Sequence, residues 1–544
     1  MRRGLNVSRA ETAAVELGHT FIRKHTAWAL IVAFLTTILS LPLASAVLNG
    51  LPGRGTVRAA AERFVELRRA FADSPVSGNN MLLAQLRGFE DRLDRGSVLA
   101  QSLVPPVQWI LTAVMGLGNE RAYDGRGGWL YYRPDVEYVT GPGFLDGEVQ
   151  AARALSGDSW RAPIQPDPVR AIEDFAEELS RRGIHLIVMP TPVKPVIEPE
   201  HFARRATAPL QNASFDRFCA LLRDAKIEVF DATDALMRSR SRGPQFLRTD
   251  SHWTPEAMEV TAGELARRVQ SGFARVVEYE MTTVTVRNRG DLAIMLGLPE
   301  SRNPFTFEEV QLHRVRMPGG APWEPDRNAD VLLLGDSFAN VYSQEALGWG
   351  VSAGLAEQLS YFLRRPIDRI AINDDGAFAT RLELARELAR GEDRLAGKCL
   401  VIYQFAVREL TSGDWRMVDL APVRKTVEAP AAAGESVLCS GVVRELTPLP
   451  APGRTPYRDC VISIRLADLQ VERGAIADSE ILVYAMGMRD AVLTDASRLM
   501  PGQRIRVRLV PWERVAPAYE GYQRLELPGD DAFLLPAYWM EAIL

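Results

Sequence analysis

The sequence is poor in the residues that build disulfide frameworks and metal sites. It has four cysteines in 544 residues, none of which forms a C-x-x-C pair, and this argues against a structural zinc site. A late bridge between Cys439 and Cys460 stays open, as does its alternative, two thiols. Histidine is scarce as well, at 6 residues, so a histidine beside an aspartate is informative.

Long blocks of one charge are also missing beyond the amino terminus. The formal net charge is -5, and no Lys/Arg block is present that could follow a phosphate backbone, so we expect no nucleic-acid partner. Internal repeats of about 20 to 50 residues, the pattern of solenoids, are absent too. A chain of 544 residues is too long for one compact core, which predicts two or more folded units.

One long apolar run is present near the start. Residues 27–47 contain no charged side chain, and their number is close to the ~20 that span a bilayer as a helix. Basic residues precede the run, so the positive-inside tendency places 1–26 in the cytoplasm and the rest of the chain outside it. Ala44-Ser45-Ala46 resembles a signal-peptidase site, but the segment exceeds usual signal-peptide dimensions. We therefore expect an uncleaved, single-pass anchor in the inner membrane.

The remaining chain divides into three segments by its residue patterns. Residues 48–120 have helical spacing of apolar residues and predict a stalk, with Pro105-Pro106 suited to the entry of a further helix. Residues 121–425 alternate helix and strand, which predicts an α/β domain with a mostly parallel sheet covered by helices on both faces. Residues 430–544 are β-rich and predict a small barrel or sandwich, first an OB-like barrel. Its five predicted strands are 436–446, 460–469, 481–484, 504–510 and 522–527.

Two short strings supply the residue types of an acyl-transfer triad. One contains Asp250 and His252, and the other contains Ser337 just after an apolar strand. A serine hydroxyl becomes a strong nucleophile when an imidazole takes its proton, and a carboxylate orients that imidazole. In an extended or turn segment, residues two apart project to one side and can form a hydrogen bond. We therefore predict Ser337 as nucleophile, His252 as base and Asp250 as its orienting carboxylate.

Each string also has a plain structural interpretation, as a turn and helix cap. Two such strings at strand-to-helix loops of one sheet favour the catalytic interpretation, because ligands bind beyond the carboxyl ends of the strands in open α/β sheets. The backbone N–H of Ser337 would then serve as an oxyanion donor. A metal site is the competing interpretation, but the other histidines lack a chelating spacing. We expect neither metal nor cofactor.

These strings and four others resemble one branch of a known superfamily. The strings are 123–132, 190–195, 250–253, 290–292, 335–338 and 403–408. Together, over about residues 105 to 415, they are similar to the alginate O-acetyltransferase branch of the SGNH hydrolases. In that branch the Asp-x-His element precedes the serine, as it does here, whereas many SGNH esterases have the reverse order. The β-rich tail departs from the family pattern, and the second oxyanion donor is unassigned.

The resemblance implies transfer of acetyl groups, through a serine acetyl-enzyme, onto hydroxyls of a secreted polysaccharide in the periplasm. A membrane-bound O-acyltransferase is the implied partner that exports the acetyl group. An SGNH carbohydrate acetylesterase and a non-catalytic glycan-binding or assembly protein of an export complex are the alternatives. The implied substrate or oxyanion contacts, each with a packing role as alternative, are Lys194, Trp253, Asn340, Tyr403 and Arg408.

Overall fold

The computed structural model describes residues 98–544 except for twelve gaps, together with scattered earlier positions. The gaps are 157–162, 204–207, 270–275, 374–375, 390, 421–435, 448, 450–458, 477, 491, 520–521 and 528–534. The described earlier positions are 28–32, 34–36, 40, 64, 67–68, 71, 79 and 82. The chain forms two compact units, which meet in sequence at Val104 and Pro105.

The predicted anchor and stalk lie mostly outside the described residues. Of residues 27–47, those at 28–32, 34–36 and 40 are described, and they are helical. Among the described residues, no helix has both the length and the apolar character needed to cross a bilayer. The expectation that Pro105-Pro106 marks a helix entry is wrong, because one helix, Val98–Trp109, contains both prolines. A proline inside a helix cannot donate the helical hydrogen bond, and its ring crowds the carbonyl four residues earlier, so this helix forms despite a local cost at both positions.

The second unit contains all sixteen strands that the described residues form. In chain order they are β1 (Ala122–Asp124), β2 (Leu130–Tyr132), β3 (His185–Thr191), β4 (Glu228–Val229), β5 (Glu280–Asn288), β6 (Glu308–Arg316), β7 (Val331–Gly335), β8 (Asp368–Ala371), β9 (Leu400–Ala406), β10 (Val437–Leu446), β11 (Cys460–Arg473), β12 (Glu480–Arg489), β13 (Val492–Leu493), β14 (Arg504–Pro511), β15 (Gln523–Leu525) and β16 (Ala537–Ile543).

The helices lie mainly between the strands of the first half. They are α1 (Val98–Trp109), α2 (Arg133–Thr140), α3 (Gly147–Ala154), α4 (Pro168–Arg181), α5 (Lys194–Ile197), α6 (Phe215–Asp224), α7 (Thr233–Ser239), α8 (Pro255–Val269), α9 (Asp291–Met295), α10 (Ser337–Asn340), α11 (Leu355–Leu363), α12 (Ala379–Ala389), α13 (Glu409–Ser412) and α14 (Trp512–Tyr519). A π-helical turn at Ile110–Val114 and 3-10 turns at Pro199–His201, Arg240–Arg242, Glu300–Arg302, Glu345–Leu347 and Asp495–Arg498 complete the set.

A five-stranded parallel sheet forms the centre of the α/β domain, as predicted. Its order is β4-β3-β9-β7-β8, and every neighbouring pair is parallel. All residues of β7 and β9 are buried, which is typical of a parallel sheet covered on both faces. The carboxyl ends of β7, β8 and β9 therefore meet at one edge of the sheet.

Helix α4 illustrates why the flanking helices form where they do. Its buried face consists of Ala171, Ile172, Phe175 and Leu179, at the spacing of one helical face. Asp167 caps the helix, because its carboxylate accepts hydrogen bonds from the backbone N–H groups of the second and third residues that follow it, at 3.0 and 3.2 Å. The apolar face then packs on the sheet.

The carboxyl-terminal domain is a closed β-barrel. Strands β10, β11, β12, β16 and β14 pair in a ring, so the prediction of a small barrel is confirmed. The strand predicted at 522–527 forms as β15, but among the described residues it pairs with β11 alone, outside the ring. The strand that closes the ring, β16, was not predicted. Strand β16 belongs to the ring because Tyr538 and Met540 point into the barrel core, whereas Trp539 points to a separate aromatic cluster.

The two cysteines of the barrel lie on different strands, Cys439 on β10 and Cys460 on β11. Both are buried thiols rather than a disulfide. Cys439 is paired in register with Val471 and Cys460 with Met488, so strand pairing directs the two thiols to different partners. The bridge that the sequence left open is therefore not formed.

Candidate active site

Ser337 lies at the turn between β7 and the short helix α10. The strand is entirely apolar up to Gly335, where a side chain would not fit, because an added Cβ would lie 2.6 Å from the Ala339 Cβ. Ser337 is the first residue of the helix and is buried. In the described part of the chain its backbone N–H has no acceptor, as expected for the first turn of a helix.

Asp336 fixes this turn to the neighbouring strand β9. Its carboxylate accepts hydrogen bonds from the Phe338 N–H at 2.8 Å, the Ala406 N–H at 2.7 Å and the Gln404 side-chain amide at 2.9 Å. Its own N–H donates to the Gln404 side-chain oxygen at 2.9 Å. The backbone around Ser337 is therefore held from both sides.

Asp250 and His252 form the predicted pair. The distance between the His252 Nδ1 and the Asp250 Oδ1 is 2.7 Å, and both side chains are buried. The other Asp250 oxygen accepts from the Trp349 indole N–H at 2.8 Å and the Asp291 N–H at 3.0 Å. Burial alone would raise the pKa of Asp250, but the hydrogen bonds from His252, Trp349 and Asp291 outweigh it and lower the pKa to about 2. Asp250 is thus a stable carboxylate.

The imidazole of His252 is oriented by this carboxylate. Burial opposes its positive charge, but the hydrogen bond and charge of Asp250, with the nearby Asp291, raise the pKa of His252 above its ordinary value. Since Nδ1 donates to Asp250, Nε2 carries the lone pair. Among the described residues, this Nε2 is buried and has no hydrogen-bond partner. It is the atom that a general base uses.

The loop that carries His252 contacts the helix that begins with Ser337. The centroids of the His252 and Phe338 rings are 4.9 Å apart, and Phe338 is the neighbour of Ser337. The Trp253 indole donates to the Phe338 carbonyl at 3.2 Å, and the Tyr342 hydroxyl donates to the Trp253 carbonyl at 2.6 Å. The structure therefore brings together two strings that lie 85 residues apart.

Asp291 is a second carboxylate beside the imidazole, which the sequence analysis did not assign to the site. Its Oδ2 lies 3.7 Å from the His252 Nδ1. The carboxylate accepts from the Ser251 N–H at 2.7 Å and the Ser251 hydroxyl at 2.5 Å. Burial, followed by the charge of Asp250, raises the pKa of Asp291 to about 7. The only sequence signal was the 290–292 string of the family resemblance, which assigned no role.

Asp250, His252 and Asp291 are also close enough to share a cation, since one ligand atom of each lies within 4.8 Å of the others. Their atoms nevertheless bond to each other and to protein donors. Hydrogen bonds within the protein therefore account for the geometry of this group.

A cavity of about 270 Å³ opens beside Ser337 at the carboxyl edge of the sheet. It is lined by Tyr132, Pro134, Gly335, Asp336, Ser337, Ile372, Gly376, Ala377, Thr380, Tyr403, Gln404, Phe405, Arg408, Glu409 and Ser412. His252 and Asp250 are not among these lining residues; the His252 ring lies against Phe338, the neighbour of the cavity-lining Ser337. This is the space in which a substrate would meet the serine.

The family model described as "SGNH hydrolase-like domain, acetyltransferase AlgX" matches residues 124–407, more than half of the chain. The chain belongs to this family. The predicted family resemblance is thereby confirmed. The matched span contains Asp250, His252 and Ser337, and the carboxyl-terminal barrel lies beyond it.

Several curated proteins of alginate acetylation are similar to parts of the chain. The "Probable alginate O-acetylase AlgJ" of Azotobacter vinelandii is 28% identical over 258 residues, which cover 44% of this chain and 61% of that protein. Its counterpart in Pseudomonas aeruginosa is 31% identical over 178 residues, covering 32% of this chain and 40% of that protein. The chain thus spans less than two thirds of the length of these relatives.

Solved structures of the AlgX and AlgJ type are also similar. The O-acetyltransferase domain of Pseudomonas putida AlgJ has 21% identity and a TM-score of 0.42, covering 54% of this chain and 93% of that one. Pseudomonas aeruginosa AlgX has 15% identity and a TM-score of 0.37, covering 71% and 90%.

Two of the substrate or oxyanion contacts that the family resemblance implied, Tyr403 and Arg408, line the cavity. Tyr403 is nearly inaccessible, and its hydroxyl donates to the Ala377 carbonyl. Arg408 pairs with the buried Asp135 at 3.1 Å and lies over the Phe338 ring, with its guanidinium carbon 5.5 Å from the centroid. Burial disfavours the charge of Arg408, but Asp135 raises its pKa above the ordinary value. Arg408 therefore brings a permanent positive charge to the cavity.

The other three implied contacts are packed behind the cavity, which departs from the expectation. Lys194 is buried and donates to the Leu130 carbonyl at 2.7 Å and the Arg248 carbonyl at 3.2 Å, so it ties β2 to the loop before Asp250. Burial lowers the pKa of Lys194 to about 8. Trp253 has no exposed surface on which a sugar could stack. Asn340 is buried too, which favours the packing alternative for all three.

Proposed function

We propose that this chain is an O-acetyltransferase that moves an acetyl group through Ser337 onto hydroxyls of a secreted polysaccharide. The observation that carries the proposal is the buried, unpartnered Nε2 of His252, oriented by Asp250 and in contact with the helix of Ser337. The AlgX family and the alginate O-acetylases among the relatives support acetyl transfer as the chemistry and a polysaccharide as the acceptor class.

In the first half-reaction, Nε2 of His252 takes the proton of Ser337 as the serine oxygen attacks the acetyl carbonyl. The oxyanion that forms accepts a hydrogen bond from the Ser337 backbone N–H, with the Arg408 guanidinium as the candidate second donor. His252 then returns its proton to the leaving group, which leaves an acetyl-enzyme. The negative charge of Asp250 stabilises the imidazolium that exists between these two steps.

In the second half-reaction, a glycan hydroxyl enters the cavity and gives its proton to His252. Its oxygen attacks the acetyl carbonyl, the tetrahedral intermediate collapses, and Ser337 recovers the proton as the acetylated glycan leaves. Water in place of the glycan would give the acetylesterase reaction with the same residues.

The placement of the enzyme follows from the amino-terminal run. Residues 27–47 would anchor the chain in the inner membrane, with the catalytic domain and the barrel in the periplasm. A periplasmic acetyl acceptor needs an acetyl group delivered across that membrane, and the family resemblance implies a membrane-bound O-acyltransferase as the partner that delivers it.

The decisive test is Ser337→Ala, measured with an acetyl-ester reporter and with acceptor oligosaccharides followed by mass spectrometry. We expect loss of reporter cleavage and of acetylated product, because the covalent route needs the serine oxygen. Ser343→Ala is a matched control, since Ser343 follows the same helix but bonds to Glu357. Unchanged reporter cleavage in Ser337→Ala would remove the proposal, and free acetate without acetylated product would favour the esterase.

A further inference from the structure

Strand β15 of the barrel contacts the catalytic domain beside the cavity. Gln523 at its start is buried, and its side-chain amide donates to the Asn373 carbonyl at 2.6 Å. Asn373 follows β8 and the cavity-lining Ile372. A residue outside the matched family region thus holds the edge of the sheet at which Ser337 lies.

The side chain of Asn373 continues this contact into the catalytic helix. Its oxygen accepts a hydrogen bond from the Asn340 amide at 3.2 Å, and its own amide donates to Gln344. Asn340 is the last residue of α10, the helix that Ser337 begins. It also donates to the Ala371 carbonyl at 3.2 Å. Four buried amide side chains therefore connect the barrel to the helix of the nucleophile: Asn340, Gln344, Asn373 and Gln523.

Charged residues of β15 and its continuation fix the same wall of the cavity. Arg524 lies 3.1 Å from the Glu383 carboxylate, and Arg386 lies 3.6 Å from that of Glu526. Glu383 and Arg386 belong to α12, the helix whose residue Thr380 lines the cavity. The barrel strand is thus bonded to both chain segments that follow β8.

Removal of the Gln523 donor would leave the buried carbonyl of Asn373 without a hydrogen bond. Such a group is costly to bury, so the backbone at Asn373 would shift towards another donor. A shift of Asn373 would displace the side-chain oxygen that accepts from Asn340, and helix α10 would be displaced with it. A misplacement of about 1 Å at a reacting group can lower a rate on the order of 100-fold.

We propose that β15 is a positioning element of the active site, in which Gln523 fixes the helix of Ser337 through Asn373. The inference rests on the proposed function, since it concerns the rate of the Ser337 reaction. It gives the barrel a role in catalysis through the amide contacts, beyond holding two domains together.

The first measurement is the acetyl-ester reaction of full-length Gln523→Met, which keeps the length of the side chain and removes the donor. We expect kcat to fall about tenfold with KM changed less than about twofold, because the cavity remains while the nucleophile is misplaced. Gln470→Met is the matched control, an exposed glutamine on β11 of the same barrel, and we expect wild-type rates. A wild-type kcat for folded Gln523→Met would overturn the inference.

A double-mutant cycle with Asn340→Ala separates positioning from mere stability. If the two residues act through Asn373, the double variant will be about as slow as the slower single variant; if they act independently, the two losses multiply, and the inference fails. Circular dichroism and thermal melting establish that each variant is folded at the assay temperature. Ser337→Ala in the same assay keeps the proposals distinct: an active Ser337→Ala contradicts the proposed function, whereas an inactive one beside a wild-type Gln523→Met contradicts only this inference.

Discussion

At the scale of single residues, the chemistry depends on which nitrogen of His252 is left for the serine. Asp250 accepts from Nδ1 and from the His252 backbone N–H, and its second oxygen is held by Trp349 and Asp291. A carboxylate that is held on both oxygens cannot rotate away from the imidazole. The tautomer with Nε2 as acceptor is therefore fixed by packing as well as by charge.

Asp250→Asn tests that tautomer. The amide would present an N–H to Nδ1, which favours the wrong tautomer, and we expect kcat to fall by about 10³ to 10⁴. Initial rates with the acetyl-ester reporter measure the loss. Trp349→Phe keeps the carboxylate and removes one of its donors, so we expect a loss of about tenfold or less. An Asp250→Asn variant within tenfold of wild type would contradict the assigned role.

Asp291 provides a test by pH. His252 must be neutral to act as a base, and its pKa is raised above the ordinary value, so kcat/KM should increase with pH through a midpoint above about 6.5. Asp250 and Asp291 favour the imidazolium, while Arg408 opposes it. The pKa of Asp291 is raised to about 7, so this carboxyl is only partly ionised near that midpoint. Asp291→Asn removes its partial negative charge near the ring, so the midpoint should move to lower pH. The exposed Asp216→Asn is the control, and an unmoved or higher midpoint in Asp291→Asn would contradict the argument.

The sequence was sufficient to propose Asp250, His252 and Ser337 as site residues, but it did not identify the residues that hold them in place. Asp250, His252 and Ser337 are recognisable because the reaction needs those residue types in short strings. Trp349 and Asp135 come from distant segments, and their partners are chosen by the fold alone. Trp253 and Lys194 lie within recognisable strings, but only the folded chain shows that they are buried.

At the scale of elements, the turn between β7 and α10 depends on one carboxylate. Asp336→Ala would leave the donors of Phe338, Ala406 and Gln404 without their acceptor. We expect the free energy of unfolding to fall by about 2 to 4 kcal/mol, measured by urea denaturation. Asp167→Ala at the cap of α4 is the comparison, with an expected loss of about 1 kcal/mol. An equal or smaller loss for Asp336→Ala would argue against the tie to β9.

The barrel strands carry two thiols that are buried and not bridged. Burial raises the pKa of Cys439 to about 11, which leaves little thiolate to react at neutral pH. We expect a thiol reagent to label only the exposed Cys399 in the native protein, and all four cysteines after denaturation without reductant. A count of two after denaturation would contradict the structure of the barrel.

The burial of a strand largely explains whether the sequence predicted it. The parallel strands are mostly buried and alternate with helices, and this alternation was predicted. The β5–β6 hairpin is antiparallel and half-exposed, and β16 alternates between two clusters. The hairpin lacks a continuous apolar run, whereas β16 has one at 537–540; neither was predicted. The helix entry expected at Pro105-Pro106 was wrong, because the helix extends through both prolines despite the backbone hydrogen bonds that they cannot donate.

At the scale of the whole molecule, the family match accounts for the α/β domain, whereas the placement of the barrel depends on its side-chain contacts with that domain. The family match ends at residue 407, before the barrel begins with β10. Composition predicted a small β domain there, but the position of β15 against β8 and α12 depends on side-chain contacts between segments about 140 residues apart. The hydrogen bond from Gln523 to Asn373 is one of these contacts, and the sequence alone does not predict it.

The membrane anchor is the prediction that concerns the whole chain. A segment of about 20 uncharged residues is enough to hold a protein in a bilayer, so full-length protein should sediment with membranes and stay there in high salt and alkaline carbonate. A variant that lacks residues 1–47, exported with a cleavable leader, should be soluble in the periplasm and should keep reporter activity, because Asp250, His252 and Ser337 lie in the second unit. The intact mass of the purified protein distinguishes an uncleaved anchor from the alternative, cleavage after Ala46. A mature chain that begins at Val47 and is found in the soluble fraction would replace the anchor with a signal peptide.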